Sequence, residues 1–149
     1  MPVRAVTSTL AQGFLPMFTL ATAPKTTTEA AKLWADAYAK YVVAGGVLEG
    51  YARGPALAGL LAAAFRPELA GGGPVLLLSA LQVFWLGMSV PAQAGIVTAF
   101  APSSPNLNSP QGPTATPEQQ AAGLAQVISQ LTLGAVKVTI PPSTVVPLL

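Results

Sequence analysis

A long uncharged segment limits what this chain can fold into. Residues 69–117 contain no aspartate, glutamate, lysine or arginine. The most apolar part, "VLLLSALQVFWLGMSV" at residues 75–90, is bracketed by Pro74 and Pro91. Because proline is tolerated in the first turn of a helix and ends a helix that it follows, this part predicts one helix that is apolar on nearly every side. Such a helix is either buried at the centre of a protein or embedded in a membrane.

The length and the flanks of this apolar helix argue against a membrane span. A spanning helix needs about 20 residues, and the run at residues 75–90 stops at Pro91. On its C-terminal side the first cationic residue that could set an orientation is Lys137. Two other segments predict amphipathic helices, whose polar faces suit water better than lipid. We therefore expect a central buried helix, with a small membrane-active protein of lysis or genome delivery as an alternative.

The shortage of charge extends over the whole chain and indicates a covered surface. Charged residues make up 8% of the 149 residues, against roughly 25% in ordinary globular proteins. A folded chain of 15.1 kDa exposes on the order of 7,000 Å², which so few charged side chains cannot cover. Large exposed apolar patches mark interaction surfaces. The composition therefore predicts contact with a membrane or with protein partners.

The segment "TTTEAAKLWADAYAKYVVAGG" at residues 26–46 predicts a strongly amphipathic helix. Thr26 and Glu29 have the spacing of a capping box, and the glycine pair at residues 45–46 ends the helix. Charged and apolar residues fall on opposite stripes, which indicates one solvated and one buried face. The charged stripe is Glu29, Lys32, Asp36 and Lys40, and the apolar stripe is Ala30, Trp34, Ala37, Tyr38 and Tyr41.

Four further patterns complete a single, mainly helical α+β domain at residues 25–142. "GPALAGLLAAAF" at residues 54–65 predicts a small apolar helix, and "PEQQAAGLAQVISQLTLG" at residues 117–134 predicts a helix that starts with a capping box. In the latter, the stripe Leu124, Val127, Ile128 and Leu131 is expected to face the core. "GIVTAF" and "AVKVTI" predict short strands. An exposed loop is expected at residues 101–116. We expect a compact bundle of about four helices with a small β element.

Two segments outside this domain predict extended arms. Residues 1–24 carry prolines and threonines and lack a sustained helical period. Residues 143–149, "STVVPLL", are apolar where a disordered tail would be polar. Arms of this type add a strand to a neighbouring chain or fill a groove on it, and the edge of the strand at residues 135–140 offers one place for such pairing. We expect a neighbouring copy to cover residues 143–149, so that their deletion impairs assembly more than folding.

The chain lacks the residue types on which most catalysis and metal binding depend. It contains no histidine and no cysteine, so the hydroxyl-rich runs "TSTL" and "TTTE" have no imidazole base to activate them. Asp36 lies between Lys32 and Lys40 on a solvated helix face, which does not favour an acid–base role. The cationic residues are scattered, and the net charge is only +2. We predict no enzymatic activity, no cofactor, no metal site and no specific nucleic-acid partner.

The order of the predicted elements resembles that of small neck or tail proteins of tailed bacteriophages. The pattern is "W..AY..Y" on the first helix, an alanine-rich second helix, a helix with "FW", the strand "GIVT", and a last helix followed by "VKVTIP". It extends over residues 27–142. The resemblance implies a virion structural protein, of the head–tail connector or tail-completion type, that is assembled in the host cytoplasm. Such a protein forms a ring of copies of itself and contacts other virion proteins. A capsid decoration protein is the alternative within this class.

On this interpretation, apolar residues of the arms and of two helices are candidates for contacts between copies. Aromatic side chains at helical spacing form either the core or an interface, where they act as anchors. A different possibility is a soluble module that binds a small apolar ligand beneath Trp34. The interface candidates are Phe14, Phe18, Trp34, Tyr38, Tyr41, Phe84, Trp85, Val145, Val146, Leu148 and Leu149.

Overall fold

The computed structural model describes residues 6–64, 73–101, 116–141 and 144–149. Within these ranges the chain forms five α-helices and a four-stranded antiparallel sheet, which confirms the expected mainly helical α+β class. The helices are α1 (Thr7–Phe18), α2 (Thr27–Ala44), α3 (Gly50–Ala64), α4 (Gly73–Trp85) and α5 (Pro117–Ala135). The strands are β1 (Ser89–Val90), β2 (Gly95–Phe100), β3 (Val136–Ile140) and β4 (Thr144–Pro147), and a 3₁₀-helix, Pro91–Gln93, joins β1 to β2. The expected loop lies, from residue 102 to 115, outside the described residues.

The helices pack side by side in the order α5, α1, α2, α3, α4. Two of them start where the capping patterns predict. Thr26 Oγ1 accepts a hydrogen bond from the backbone N–H of Glu29 at 3.1 Å, and Thr116 forms a full capping box with Gln119 at the start of α5. The apolar helix α4 ends at Trp85, so the residues before Pro91 form β1 rather than the last turn of a helix.

Helix α1 occupies the segment that was expected to be an extended arm. Phe14 is fully buried, and its ring lies 5.4 Å from the ring of Trp34, centroid to centroid. Gly13 allows this close packing, because a Cβ atom at that position would lie 2.5 Å from the Cβ of Ala37 on α2. Thr19 and Thr22 donate hydrogen bonds to carbonyl groups of the last turn. The prediction of an arm is therefore wrong for residues 7–18, and residues 1–5 lie outside the described ranges.

Helix α5 buries a face that overlaps only in part with the predicted stripe, of which Ile128 is buried. Leu124, Val127 and Leu131 are only half-buried. The buried face consists mainly of small residues, and small residues let α1 approach the α5 backbone closely. Its members are Ala121, Gly123, Ala125, Ile128, Ser129, Thr132 and Ala135.

The sheet has the strand order β1-β2-β3-β4. Val97 of β2 lies opposite Val138 of β3, and both are buried, so this face of the sheet closes the core. β3 pairs with β2 along one edge and with β4 along the other. The expectation that β3 offers an open edge to another chain is therefore wrong.

Strand β4 occupies the other segment that was expected to be an arm. Thr144 to Pro147 pair with β3 of the same chain, and the Leu148 N–H donates a hydrogen bond to the Val136 carbonyl at 3.2 Å. Since side chains of a strand alternate between its two faces, Leu148 points inward and is buried. In this structure the chain's own sheet, and not a neighbouring copy, covers Leu148.

Candidate interaction surfaces

The aromatic interface candidates lie in the interior of the chain. Tyr38 is at their centre: its ring stacks on Trp34 at 5.3 Å and meets the edges of Phe84 at 5.3 Å and Trp85 at 6.4 Å. These residues are exposed by 4% or less, so they cannot contact a neighbour unless the core opens. As surface anchors the six predictions are wrong: Phe14, Trp34, Tyr38, Tyr41, Phe84 and Trp85 belong to the core.

Buried hydroxyl groups connect the aromatic residues to α5. The Tyr38 hydroxyl accepts a hydrogen bond from Trp85 Nε1 at 2.8 Å and lies 2.6 Å from Thr132 Oγ1. The Tyr41 hydroxyl lies 2.9 Å from Ser129 Oγ. Each buried polar group thus has a partner, as a stable core requires.

Burial keeps both phenols protonated. Desolvation raises the pKa of Tyr41 to about 12, against the lowering effect of its hydrogen bond to Ser129. Desolvation likewise raises the pKa of Tyr38, and its hydrogen bonds with Thr132 and Trp85 only partly offset this rise. Two neutral phenols, each with a hydrogen-bond partner and away from solvent, thus link α2 to α5 inside the core.

Sequence reasoning missed Ser129 and Thr132. The signal that could have found them is the pair of tyrosines one helical turn apart on the apolar stripe of α2. Because buried phenols need hydrogen-bond partners, two tyrosines three residues apart predict two hydroxyl groups three residues apart on a neighbouring helix. Ser129 and Thr132 have that spacing on α5.

The charged stripe of α2 is exposed, as predicted. Its members nevertheless form no close ion pairs: among the described residues, the pair within 4 Å is Arg53 with Glu49, at 3.6 Å. Within the same ranges no cluster of three or more acidic residues could hold a metal ion.

Helix α3 presents an apolar side to solvent, which we call the α3 face. Leu57 and Leu61 point into the core from the opposite side of the same helix. No polar side chain occurs from Gly54 to the end of α3, so both sides of this helix are apolar. Tyr51 at 61% and Leu60 at 40% are the most exposed large residues of the face. The α3 face consists of Tyr51, Ala52, Pro55, Ala56, Gly59, Leu60 and Ala63.

A shallow groove of about 330 Å³ follows the boundary between α2 and the α3 face. Lys32 and Asp36 line it from α2, and Pro55 and Gly59 line it from α3. A Cβ atom at Gly59 would meet nothing within 4 Å, so the α3 backbone is open to close approach here. An apolar strip thus lies beside two charged side chains at this boundary.

A second apolar surface lies on the outer side of the sheet. Ile96 is 50% exposed and Val145 is 60% exposed, and a hydrogen-bonded pair of hydroxyls, Thr98 with Thr139 at 2.6 Å, lies beside them. We call these four residues the outer sheet face.

The remaining interface candidates lie at different depths. Val145 and Leu149 are exposed, whereas Phe18 and Val146 are half-buried and Leu148 is buried. The exposed pair therefore remains available for contacts with another molecule.

An open groove of about 480 Å³ adjoins Trp34. Met17, Pro24, Ala30 and Leu124 contribute its apolar lining. Trp34 itself is 4% exposed, because Phe14 and Tyr38 contact its ring. A small apolar ligand in this groove would therefore reach little of the indole.

Within the described ranges, none of the helices combines the length and the apolar character that crossing a membrane requires. Comparison of the whole chain with protein families, curated proteins and solved structures finds no match.

Proposed function

We propose that this chain is a structural subunit that assembles with copies of itself. We further propose that the assembly is a ring in the neck or tail of a tailed bacteriophage, where it contacts other virion proteins. The α3 face is the observation that carries self-assembly, because about three turns of apolar helix have an exposed side that none of the described residues covers. The proposal that the assembly lies in a virion rests on the resemblance between the order of elements in this chain and that in phage neck or tail proteins.

The physical reason for self-assembly is the free energy of covering apolar surface. Each Å² removed from water contributes about 25 cal/mol, and a stable interface buries at least about 1,000 Å² in total. Small residues at Ala52, Ala56 and Gly59 would let a helix of a second copy approach closely. The charges of Lys32 and Asp36 beside the groove would border such a contact.

The outer sheet face supports a ring rather than a simple dimer. The α3 face and the outer sheet face lie on different elements of the same chain, so the one face of a copy can pack against the other face of the next copy in head-to-tail fashion. Head-to-tail contacts form rings when the rotation between subunits closes. Ile96 and Val145 would then contact the α3 face of the next copy.

Charge substitution on the α3 face tests the proposal. The Ala56→Glu variant places a carboxylate at the centre of the face, and Ala122→Glu introduces the same change at an exposed position of α5. We expect wild-type chain and Ala122→Glu to sediment as oligomers, and Ala56→Glu to sediment as a single chain of 15.1 kDa with an unchanged circular dichroism spectrum. A wild-type chain that stays monomeric at every concentration contradicts self-assembly. An Ala56→Glu variant that assembles normally contradicts the role of the α3 face.

Electron microscopy of the assembled wild-type chain tests the proposed place in a virion. A neck or tail component must leave a passage for the genome, so rings with a central opening are expected. Compact clusters, filaments or sheets without an opening would contradict this part of the proposal and leave self-assembly in place.

A further inference from the structure

Strand β4 contributes little to the core of its own chain. Of residues 144–149, Leu148 alone is buried, Val146 is half-buried, and the rest are exposed. The other buried apolar residues of the core lie between Val6 and Val138. Separation of β4 would therefore uncover mainly Leu148 and the outer edge of β3, and would leave the helical core closed.

The side chain of Gln93 holds β4 from its outer edge. Neighbouring residues of an antiparallel strand direct their backbone groups to opposite edges. Since Leu148 N–H points to β3, the backbone groups of Pro147 and Leu149 point away from β3. Gln93 Nε2 donates to the Pro147 carbonyl at 2.9 Å, and Gln93 Oε1 accepts from the Leu149 N–H at 3.2 Å. The side-chain amide of Gln93 thus forms hydrogen bonds with this edge of β4 that a further strand would otherwise form.

The connection between β3 and β4 has a sequence that opposes a tight reversal. Ile140 pairs with Thr144, and only three residues, Pro-Pro-Ser, separate them in the sequence. Hairpin loops of this length usually place glycine at a position of positive φ, and this connection has no glycine. Residues that precede proline favour extended conformations. Ile140 is already extended in β3, so this preference opposes the turn only at Pro141, which precedes Pro142. An extended connection would carry β4 away from its own β3.

We propose that β4 is exchanged between copies: residues 144–149 of one chain occupy the place beside β3 and Gln93 of a neighbouring chain. This inference rests on the proposed function in one respect, that copies associate. The occupant has the required chemistry, because it is the same sequence that fills this place in the structure. Every contact of β4 is therefore kept on exchange, while the Pro-Pro sequence before it no longer has to form a tight turn. A head-to-tail series of such exchanges would join the subunits of a ring.

Engineered cysteines distinguish exchanged from unexchanged strands, because the natural chain contains none. Thr139 and Val145 lie directly opposite each other on β3 and β4. This pair is not hydrogen-bonded, so its Cα atoms lie about 4.5 Å apart, within the range of a disulfide. A Thr139→Cys chain and a Val145→Cys chain are co-expressed, oxidised, and analysed on a non-reducing gel and by mass spectrometry of the linked peptides. The control replaces Val145→Cys by Thr144→Cys, whose side chain points to the opposite face.

We expect the 139–145 linkage between chains to be about tenfold more abundant than the control linkage. The native mass of the same preparations is measured in parallel. Oligomers without the 139–145 linkage would overturn strand exchange and leave the proposed self-assembly standing. A monomeric chain without linkage would overturn both.

The sequence of the connection provides a second test. The double substitution Pro141→Asn and Pro142→Gly supplies residues that favour a tight turn. We expect it to lower the fraction of linked chains about fivefold, because the unexchanged hairpin becomes easier to form. An unchanged fraction would overturn the argument that the prolines drive exchange.

Discussion

Helix α1 and strand β4 have similar sequence character but opposite roles in the fold. Both segments carry apolar residues and proline, and both are expected from sequence to be arms. In the structure α1 lies between α5 and α2 and buries Leu10 and Phe14 completely, whereas β4 lies at the edge of a sheet and buries Leu148. The difference teaches that the apolar character of a segment does not decide its depth. The depth depends on the surface against which the segment packs. Helix α1 packs against small residues of α2 and α5, which allow a close approach.

The largest expected effect concerns the ring of Phe14. Phe14→Ala leaves a cavity next to Trp34, so we expect the free energy of unfolding to fall by about 3–5 kcal/mol. Urea denaturation followed by circular dichroism measures it. Phe18→Ala, at the half-buried end of the same helix, is the control and should lose clearly less. Equal losses for the two variants would mean that α1 packs less tightly than described.

Gly13 tests how closely α1 and α2 approach. In Gly13→Ala the new methyl group meets Ala37 at a distance that real structures do not allow, so we expect a loss of about 1–3 kcal/mol from overpacking. The matched control is Gly134→Ala on α5, where a Cβ would meet nothing within 4 Å. That control should be neutral or slightly stabilising, because alanine favours helix more than glycine does. A neutral Gly13→Ala would contradict the close crossing.

Alkaline pH tests the hydroxyl network that connects α1 to the core. Thr7 of α1 lies 3.1 Å from Ser129 Oγ, which contacts Tyr41. Burial raises the pKa of Tyr41 to about 12, so the folded state holds the phenol proton more tightly than the unfolded state, whose phenol titrates near pH 10.

The stabilisation that results from the raised pKa of Tyr41 is fully present below about pH 10. It is lost as the pH rises toward the pKa of Tyr41 in the folded state. At about pH 11 the loss is about 1.4 kcal/mol for Tyr41, and burial of Tyr38 adds a loss in the same direction. Urea midpoints measured from about pH 8 to about pH 11 check this prediction. Tyr41→Phe should flatten the decline. A profile that Tyr41→Phe leaves unchanged would contradict the assignment.

The smallest expected effect concerns β4. Leu148→Ala removes the one buried side chain of residues 144–149, and we expect a loss of only about 1 kcal/mol. The loss is limited because β4 can separate locally while the helices stay folded. The urea midpoint of the helical signal measures it. A loss as large as that of Phe14→Ala would mean that β4 is an integral part of the core.

Local patterns in the sequence predict the elements better than the packing. The capping residues Thr26 and Thr116, together with the strand "GIVTAF", identify three elements at or near their observed bounds. Helix α1 escapes prediction because Gly13 and Pro16 weaken the helical pattern, yet Gly13 is needed for the contact with Ala37. The stabilising effect of Gly13 depends on its contact with Ala37 in another helix, and local helix propensity does not reflect such a contact.

The candidate surfaces are less predictable than the elements for the same reason. The aromatic residues of α2 have the composition of interface anchors, but three neighbouring helices cover them. Apart from Tyr51 and Pro55, the α3 face consists of alanine, glycine and leucine, a composition that in sequence resembles the core of a helical bundle. One side of α3 is exposed although the helix lies between α2 and α4, and no residue pattern within α3 distinguishes that side from the buried one.

Native-state hydrogen exchange compares α1 and β4 most directly. The backbone N–H of Leu148, bonded to Val136, reports on β4, and the N–H of Phe14 reports on α1. If β4 separates while the core stays closed, the Leu148 amide exchanges through a local opening. The free energy of this opening is then much lower than that for the Phe14 amide, which should exchange only through global unfolding. Equal protection of both amides would contradict the account, because β4 could then leave its place only when the whole chain unfolds.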